Sequence, residues 1–171
     1  MGNCLREYFL SLEAVLIIRH LKKQRPKNLI GRREQVDFPD LGLFDITAKI
    51  DTGAYTTAVH CQDILEKDGV LHFKLLDPLR PEYSEQDHTA KEFSQKDIKN
   101  SFGEIERRYL VKTRVQMGGR IVKCIISLTN RGTMRYPVLI GRKFLKNRFV
   151  VDVSKLNLAP LDILAHPDHS L

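Results

Sequence analysis

Short stretches in which apolar and polar residues alternate follow one another along most of the chain after residue 28. Alternation with a period of two is typical of strands that bury one face, and turn-forming residues separate the stretches. The predicted strands are Leu43–Ile50, Leu71–Leu76, Tyr109–Val115, Ile121–Leu128, Pro137–Ile140 and Phe149–Val153, and a short helix is predicted over Gly141–Lys146. Gly118 and Gly119 join two of these strands into a predicted β-hairpin. The pattern therefore predicts an all-β domain, a small barrel or sandwich with one helix near its end.

The first part of the chain, residues 1–28, has a different pattern and is predicted to be an extension of the domain. Its apolar residues recur every three to four positions, as on one face of an amphipathic helix. They are Leu5, Phe9, Leu12 and Leu16, and a basic stretch follows them. We expect a helix that packs on the domain or a flexible leader, with attachment to an anionic lipid surface as the alternative.

The strand-rich part is assigned to one domain over residues 29–158, and residues 159–171 are predicted to be a frayed tail. Inside the domain, residues 71–115 contain a long excursion. Eleven of the 28 residues in its middle, 77–104, are charged, so this segment cannot form a core of its own. We expect it to be exposed and mobile.

Composition and cysteine content favour a globular protein of a reducing compartment. Hydrophobic residues make up 42% of the chain and charged residues 29%, which excludes wholesale disorder. Cys4, Cys61 and Cys124 are far apart and odd in number, which argues against a disulfide scaffold and against a thiolate zinc site. No apolar run approaches the roughly 20 residues that a membrane-spanning helix requires. We therefore expect a soluble, cytoplasmic protein.

The net charge of +7 is concentrated near the start of the chain. Residues 1–35 carry eight lysines and arginines against three acidic residues, which accounts for five of the seven charges. The rest of the chain is nearly balanced, whereas a nucleic-acid interface requires basic residues along one folded face. A nucleic-acid partner is therefore not expected.

Candidate chemistry begins with the segment Ala48–Ala54, in which a predicted strand ends at Asp51 and continues as Thr-Gly-Ala. Gly53 allows a tight turn of the backbone. Thr52 can hydrogen-bond to the backbone or to a neighbouring hydroxyl and hold that turn rigid. Such a strand end presents one carboxylate on a stiff support. Taken alone, the segment also fits an Asx-type turn that closes a hairpin.

A second feature, ninety residues after Asp51, changes this interpretation. The apolar strand Tyr136–Ile140 ends in Gly141 and Arg142, and a short helix follows. The order of these features resembles the retropepsin-like aspartic protease domain over most of residues 29–155. Retroviral proteases carry the same Asp-Thr-Gly-Ala and a matching Ile-Gly-Arg before their one helix.

The chain is more similar still to a bacterial family that is named ATP-dependent zinc protease and is associated with ATP-grasp glutamate ligases of the RimK type. The stretches that carry this similarity are IGRRE at 30–34, DLGL at 40–43, AKIDTGAYTTAVH at 48–60 and SLTNRGTMRYPVLIGRKFL at 127–145. The resemblance implies a small closed acid-protease β-barrel with one short C-terminal helix. Residues 71–115 would then supply a flap over the site.

The resemblance makes Asp51 the catalytic residue of an aspartic peptidase. Aspartic proteolysis needs two carboxylates that share one proton, because a pair roughly 3 Å apart cannot both ionise. The chain has one Asp-Thr-Gly, so the active enzyme would be a homodimer with one aspartate from each subunit. Supporting roles would fall to Thr52, Gly53, Ala54, Gly141 and Arg142. The substrate would be a peptide, or the poly-glutamate tails that associated ligases make.

One departure from the retroviral pattern lies in the site itself. Retroviral proteases place an acidic residue directly after the alanine, where it pairs with the later arginine. This chain has Tyr55 at that position. Arg142 is therefore predicted to find another partner or to serve another role.

The residues do not support the zinc and the ATP of the family's name, and no cofactor is expected. There is no HExxH, and the neighbours His60 and Cys61 would not both point inward from one strand. We expect His60 to be a packed or hydrogen-bonded histidine, and His166 and His169 to be solvated in the tail. No phosphate-binding loop of the Walker A type occurs, so any nucleotide is expected to act on a partner ligase.

Two alternatives stay open. The same fold would suit a non-catalytic binding module for an ATP-grasp ligase, in which Asp51 does no chemistry. A zinc-dependent peptidase is the second alternative, and it is taken from the family's name. A thiolate nucleophile at Cys61 is not expected, because no orienting acid or oxyanion motif accompanies it. Cys124 lies in a strand pattern and is expected in the core.

Overall fold

A computed structural model describes residues 26–76, 83, 85–99, 103–132 and 134–160 of the protein. The predicted N-terminal helix, Cys4, and most of the predicted tail with His166 and His169 lie outside these residues. Within them, strands dominate and one short α-helix occurs near the end, as predicted. In this part of the chain, no helix has the length and apolar character required to cross a bilayer.

The described residues form eleven strands and one α-helix. The strands are β1 (Asn28–Gly31), β2 (Arg33–Phe38), β3 (Leu43–Asp51), β4 (Thr57–Lys67), β5 (Val70–Leu75), β6 (Asp87–Ala90), β7 (Phe93–Lys99), β8 (Ile105–Met117), β9 (Arg120–Thr129), β10 (Val138–Gly141) and β11 (Phe149–Asp152). The helix α1 (Arg142–Leu145) lies between β10 and β11, and a single 3-10 turn spans Pro39–Leu41. Each strand predicted from alternation is present, with its ends shifted by a few residues.

Six of the strands form a closed barrel in the order β10-β3-β2-β8-β9-β4. The ring closes because β4 also pairs with β10, Val59 opposite Val138. β3 and β10 run parallel, and so do β4 and β9, whereas the other neighbours are antiparallel. β5 and β6 extend the sheet from β4, and β7 extends it from β8. The closed β-barrel implied by the resemblance is thus confirmed.

The barrel is filled by side chains that alternate along its strands. On β3, Ile46, Ala48 and Ile50 are buried, while the residues between them are half-buried or exposed. The helix adds to this core, because Phe144 is buried and stacks on Phe149 with ring centroids 5.7 Å apart. Burial of one phenylalanine stabilises by about 1.5–3 kcal/mol. This packing holds the start of α1 against the barrel.

A buried carboxylate ties the chain termini of the domain to the barrel. β1 and β11 pair as a separate, parallel two-stranded sheet. Glu34 of β2 is fully buried, and its Oε1 and Oε2 accept the N–H groups of Leu158 at 3.0 Å and Ala159 at 2.9 Å. Oε1 also accepts the N–H of Gly31. The chain after β11 is therefore fastened to the body through Ala159, which also packs on the core.

The excursion holds two strands that the sequence pattern did not predict. β6 pairs with β5, and β7 pairs with β8 over seven residue pairs. Most side chains of β7 are exposed, in keeping with the expectation, but His88 of β6 is buried and stacks on Phe73. Backbone hydrogen bonds to neighbouring strands give this segment the order that its own side chains do not supply. A flap over Asp51 stays a prediction.

Candidate active site

Asp51 is the last residue of β3, and it lies beside Gly141, the last residue of β10. The two strands are parallel neighbours in which Asp51 is the partner of Gly141 and Ile50 is the partner of Ile140. Parallel strands that end together deliver their following segments to the same edge of the sheet. The Asp51–Ala54 loop and the start of α1 therefore meet, although ninety residues separate them in sequence.

The Asp51 side chain is held by its own loop and stays accessible. Its Oδ1 accepts the N–H of Gly53 at 3.0 Å and the N–H of Ala54 at 3.1 Å. These bonds form an Asx-type turn, and within the described residues Oδ2 has no hydrogen-bond partner. The residue is only half-buried. The carboxylate therefore combines a defined orientation with access for water, substrate or a second chain.

The backbone at Gly141 leaves no room for a side chain. A Cβ there would lie 2.7 Å from both the carbonyl carbon and the carbonyl oxygen of Thr56. The Gly141 N–H donates to Oγ1 of Thr57 at 3.3 Å, and the Arg142 N–H donates to the carbonyl oxygen of Ala54 at 2.9 Å. The chain that follows Asp51 is therefore bound directly to the end of β10, which gives the loop a rigid base.

Arg142 contacts an aromatic ring and a backbone carbonyl. Its guanidinium carbon lies 5.7 Å from the centre of the Tyr55 ring, a cation–π contact. Its Nη1 donates to the carbonyl oxygen of Gly53 at 3.3 Å. Arg142 therefore has another partner, which is one of the two predicted possibilities, and that partner, Tyr55, occupies the position where retroviral proteases have an acid. Through Gly53, Arg142 supports the loop that orients Asp51.

Thr52 and Gly53 lie at the exposed tip of the loop. Thr52 and Tyr55 line a groove of about 550 Å³, which we call the loop groove. Its cationic lining residues are Lys27, Arg142, Lys143 and Lys146, and among the described residues no acid lines it. This cluster of charge is not apparent in the sequence, because Lys27 is far along the chain from Arg142, Lys143 and Lys146. A contact between Thr52 and the loop of a second subunit stays a prediction.

His60 and Cys61 are both buried in β4, with 0% and 1% of their surfaces exposed. Neighbours along a strand point to opposite faces, so both faces of β4 are covered here. His60 Nδ1 accepts the N–H of Arg131 at 2.7 Å, which confirms the predicted hydrogen-bonded histidine. Burial raises the pKa of Cys61 to about 12, so its thiol stays protonated at neutral pH and the thiolate mechanism loses support. Cys124 is half-buried and packs on the core.

The described part of the chain brings together no group of three or more His, Cys, Asp or Glu side chains that could hold a metal ion.

Comparison with known proteins places the domain in a family. Residues 29–160 match the family model described as RimB-like, retropepsin-like aspartic endopeptidase RimB. The chain belongs to the RimB-like family. The matched range includes both segments that meet at Asp51 and Gly141, and it confirms the retropepsin-like resemblance drawn from the motifs.

Curated relatives of this RimB-like chain carry the name "Probable alpha-L-glutamate ligase". The chain is 34% identical over 133 residues to the relative from Shewanella halifaxensis, a match that covers 75% of the chain and 29% of that relative. It is 30% identical over 131 residues to the relative from Desulfotalea psychrophila, covering 74% of the chain and 28% of that relative. The chain therefore spans less than a third of the length of these relatives.

A solved structure has the same fold as this RimB-like chain. It is the crystal structure of a Legionella pneumophila protein described as having unknown function. The two share 22% sequence identity and superpose with a TM-score of 0.57, covering 79% of this chain and 100% of the other. At this identity the likeness supports the fold alone.

Proposed function

We propose that the protein is a homodimeric aspartic peptidase in which Asp51 and its counterpart from a second copy activate a shared water molecule. Membership of the RimB-like, retropepsin-like family supports the reaction type. The observation that carries the proposal is the Asp51 carboxylate, which its loop orients through Oδ1 and which remains accessible. Gly141 and Arg142 support this loop from outside.

Two such carboxylates across a two-fold axis would hold a single proton, because two negative charges at close range repel each other. The ionised carboxylate takes a proton from water while the water oxygen attacks the amide carbonyl carbon, and the protonated carboxyl donates to the carbonyl oxygen. The tetrahedral intermediate then collapses. As the C–N bond breaks, the carboxyl that took its proton from the water gives it to the leaving nitrogen, which departs as an amine. The other carboxylate takes a proton from a hydroxyl of the intermediate, so the second product is a carboxylic acid and the pair again holds one proton. The N–H groups of Gly53 and Ala54 keep Asp51 oriented throughout.

An acidic substrate is the second part of the proposal. Sequence similar to this chain occurs within relatives that are named alpha-L-glutamate ligases. A peptidase associated with such ligases would cleave glutamate-type amide bonds, as in poly-glutamate tails. The loop groove suits such a substrate, because Lys27, Lys143 and Lys146 line it beside Thr52 and would pair with carboxylates.

The substitution Asp51→Asn tests the proposal. Asparagine keeps the Oδ1 acceptor for Gly53 and Ala54 and so preserves the loop, but its amide cannot exchange the catalytic proton. We expect hydrolysis of a peptide with a poly-glutamate tail, followed by mass spectrometry, to fall by a factor on the order of a thousand or more. Asp68→Asn is the matched control. Asp68 is exposed in the β4–β5 turn with φ of 51°, a conformation that asparagine adopts readily, so activity should be retained.

Undiminished hydrolysis by the Asp51→Asn protein would refute the proposal. The mechanism uses no metal, so activity should also survive treatment with 1,10-phenanthroline. Loss of activity with this chelator and recovery with added zinc would instead favour the zinc-dependent peptidase.

A non-catalytic accessory role for an ATP-grasp ligase is the second candidate function. One observation favours it: in the curated relatives, sequence like this chain makes up 29% of a longer protein named as a glutamate ligase. The Asp51→Asn protein separates the two candidates. The role is accessory if the Asp51→Asn protein and the unmutated chain bind a purified glutamate ligase equally and change the length of its product in the same way. Neither form of the chain should then hydrolyse that product. Either role would be carried out in the cytoplasm, which the unpaired Cys61 and Cys124 favour.

A further inference from the structure

A second groove lies between α1 and the β8–β9 hairpin. Its volume is about 690 Å³, and we call it the hairpin groove. The lining residues that matter here are Lys112, Lys123, Cys124, Lys143, Phe144 and Arg148. Lys143 also lines the loop groove, so this residue borders both grooves.

Part of the positive charge that lines the hairpin groove is uncompensated, although Lys112 is paired with Glu92, with its Nζ 3.1 Å from Oε2. Among its described lining residues Asp40 is the one acid, and it is already paired. Its carboxylate accepts the backbone N–H of Arg114 at 2.8 Å and the Nε–H of Arg114 at 2.7 Å, and the Arg114 side chain lowers the pKa of Asp40. Within the described residues no acidic side chain pairs with Lys123 or Lys143. Their ammonium groups therefore favour an anionic ligand.

The floor of the hairpin groove is apolar. Phe144 is 2% exposed and Cys124 is half-buried. Burial raises the pKa of Cys124 to about 11, so its thiol is neutral and belongs to the apolar floor. Single-stranded nucleic acid binds through exposed aromatic rings on which its bases stack, and among the described lining residues the one aromatic side chain, Phe144, is buried. The groove therefore fits an acidic polypeptide better than a nucleic acid.

We propose that the hairpin groove is an exosite for the distal part of an acidic polypeptide whose proximal part lies in the loop groove beside Thr52. This inference rests on the proposed function, since it places the reacting bond near Asp51. Lys143 contacts the chain where it passes between the grooves, and Lys123 contacts only its distal carboxylates. Affinity then rises with chain length until the hairpin groove is filled. Long acidic chains are bound in preference to short ones.

Binding is measured on the Asp51→Asn protein, so that the result does not depend on cleavage. Fluorescently labelled di-glutamate and octa-glutamate are titrated by fluorescence anisotropy at low and high salt. We expect Lys123→Gln to weaken octa-glutamate binding about threefold and di-glutamate binding clearly less. Lys143→Gln should weaken the binding of both peptides. Lys67→Gln is the control, because Lys67 is an exposed residue of β4 that lines neither groove, and it should change neither Kd.

The outcomes separate this inference from the proposed function. Equal affinity for the two peptides, or a length effect that Lys123→Gln leaves intact, would overturn the exosite even if the unmutated protein hydrolyses its substrate. Tighter binding of an oligothymidylate of equal charge than of octa-glutamate would overturn the choice of ligand. Length-dependent binding that Lys123→Gln removes would support the exosite. It would do so even if the unmutated protein hydrolyses nothing, a result that would overturn the proposed function instead.

Discussion

The orientation of Asp51 depends on neighbours that contribute backbone groups rather than side chains. The N–H groups of Gly53 and Ala54 bind its Oδ1. Because Gly141 has no side chain, the backbone of Thr56 can approach it more closely than a Cβ atom would allow. At the scale of single residues, the site is therefore defined by backbone hydrogen bonds to Asp51 and by the absence of a side chain at Gly141.

The substitution Gly141→Ala is expected to destabilise the protein and to lower the activity of the molecules that still fold. The added methyl would lie 2.7 Å from the backbone of Thr56, which cannot move without disturbing the loop. Overpacking of this kind costs about 1–3 kcal/mol, so the midpoint of urea unfolding should fall. Gly132→Ala is the control, because the nearest contact of its Cβ would be an ordinary one at 3.4 Å. Equal stability of the two variants would contradict the close approach at Gly141.

Some of the site was predictable because its parts are consecutive in sequence. Asp51, Thr52, Gly53 and Ala54 form one motif, and an Asx-type turn needs only neighbours. The contact between Arg142 and Tyr55 was not predictable in detail, because it exists only where β3 and β10 end together. The same holds for the loop groove, whose lysines come from two distant segments.

At the scale of elements, β2 shows how one buried charged residue prevents a strand from being predicted from its sequence pattern. Glu34, Val36 and Phe38 are all buried on the same face of β2. Because the first of the three is a glutamate, the stretch lacks the apolar alternation by which β3 was predicted. β6 and β7 were not predicted for a related reason. They are strands because they pair with β5 and β8, and the local sequence pattern does not indicate such pairing.

The substitution Glu34→Gln is expected to destabilise the junction between β2 and the segment after β11. The carboxylate accepts N–H groups at both oxygens, so a glutamine must turn an N–H₂ toward at least one of them. An unsatisfied buried group of this kind costs about 1–3 kcal/mol. We expect a lower thermal unfolding midpoint and earlier proteolytic cleavage near Leu158.

Glu85→Gln serves as the control for Glu34→Gln, because Glu85 is exposed. It should leave both the unfolding midpoint and the cleavage pattern unchanged. If Glu34→Gln behaved in the same way, the carboxylate would not be what fastens the segment after β11.

At the scale of the whole molecule, barrel closure assembles the site. β10 is a neighbour of β3 and of β4 at once, and these pairings join segments that are far apart in sequence. Local patterns do not report such pairings. The closed barrel was predicted only because the order of the motifs resembles a known family, whereas alternation by itself allowed a sandwich equally well.

The two-stranded sheet of β1 and β11 exposes apolar side chains. Leu29 of β1 and Val150 of β11 are partners in the parallel pairing, and they are 53% and 51% exposed. Val153, just beyond β11, is 70% exposed. Exposed apolar side chains that lie next to each other favour contact with another protein surface. In the proposed dimer, a second copy of the chain would supply that surface.

Mixing unmutated and Asp51→Asn subunits tests whether two copies share one active site. If each site needs Asp51 from both subunits, equal mixing and exchange leave about a quarter of the dimers active, whereas independent subunits would leave about half of the activity. The same mixture made with Asp68→Asn controls for dilution and should stay fully active, and sedimentation velocity verifies that dimers are present. Activity that falls only in proportion to the fraction of unmutated chains in the mixture would mean that each chain acts alone. A lone Asp51 cannot be ionised and protonated at the same moment, so that result would require a second proton carrier from within the same chain.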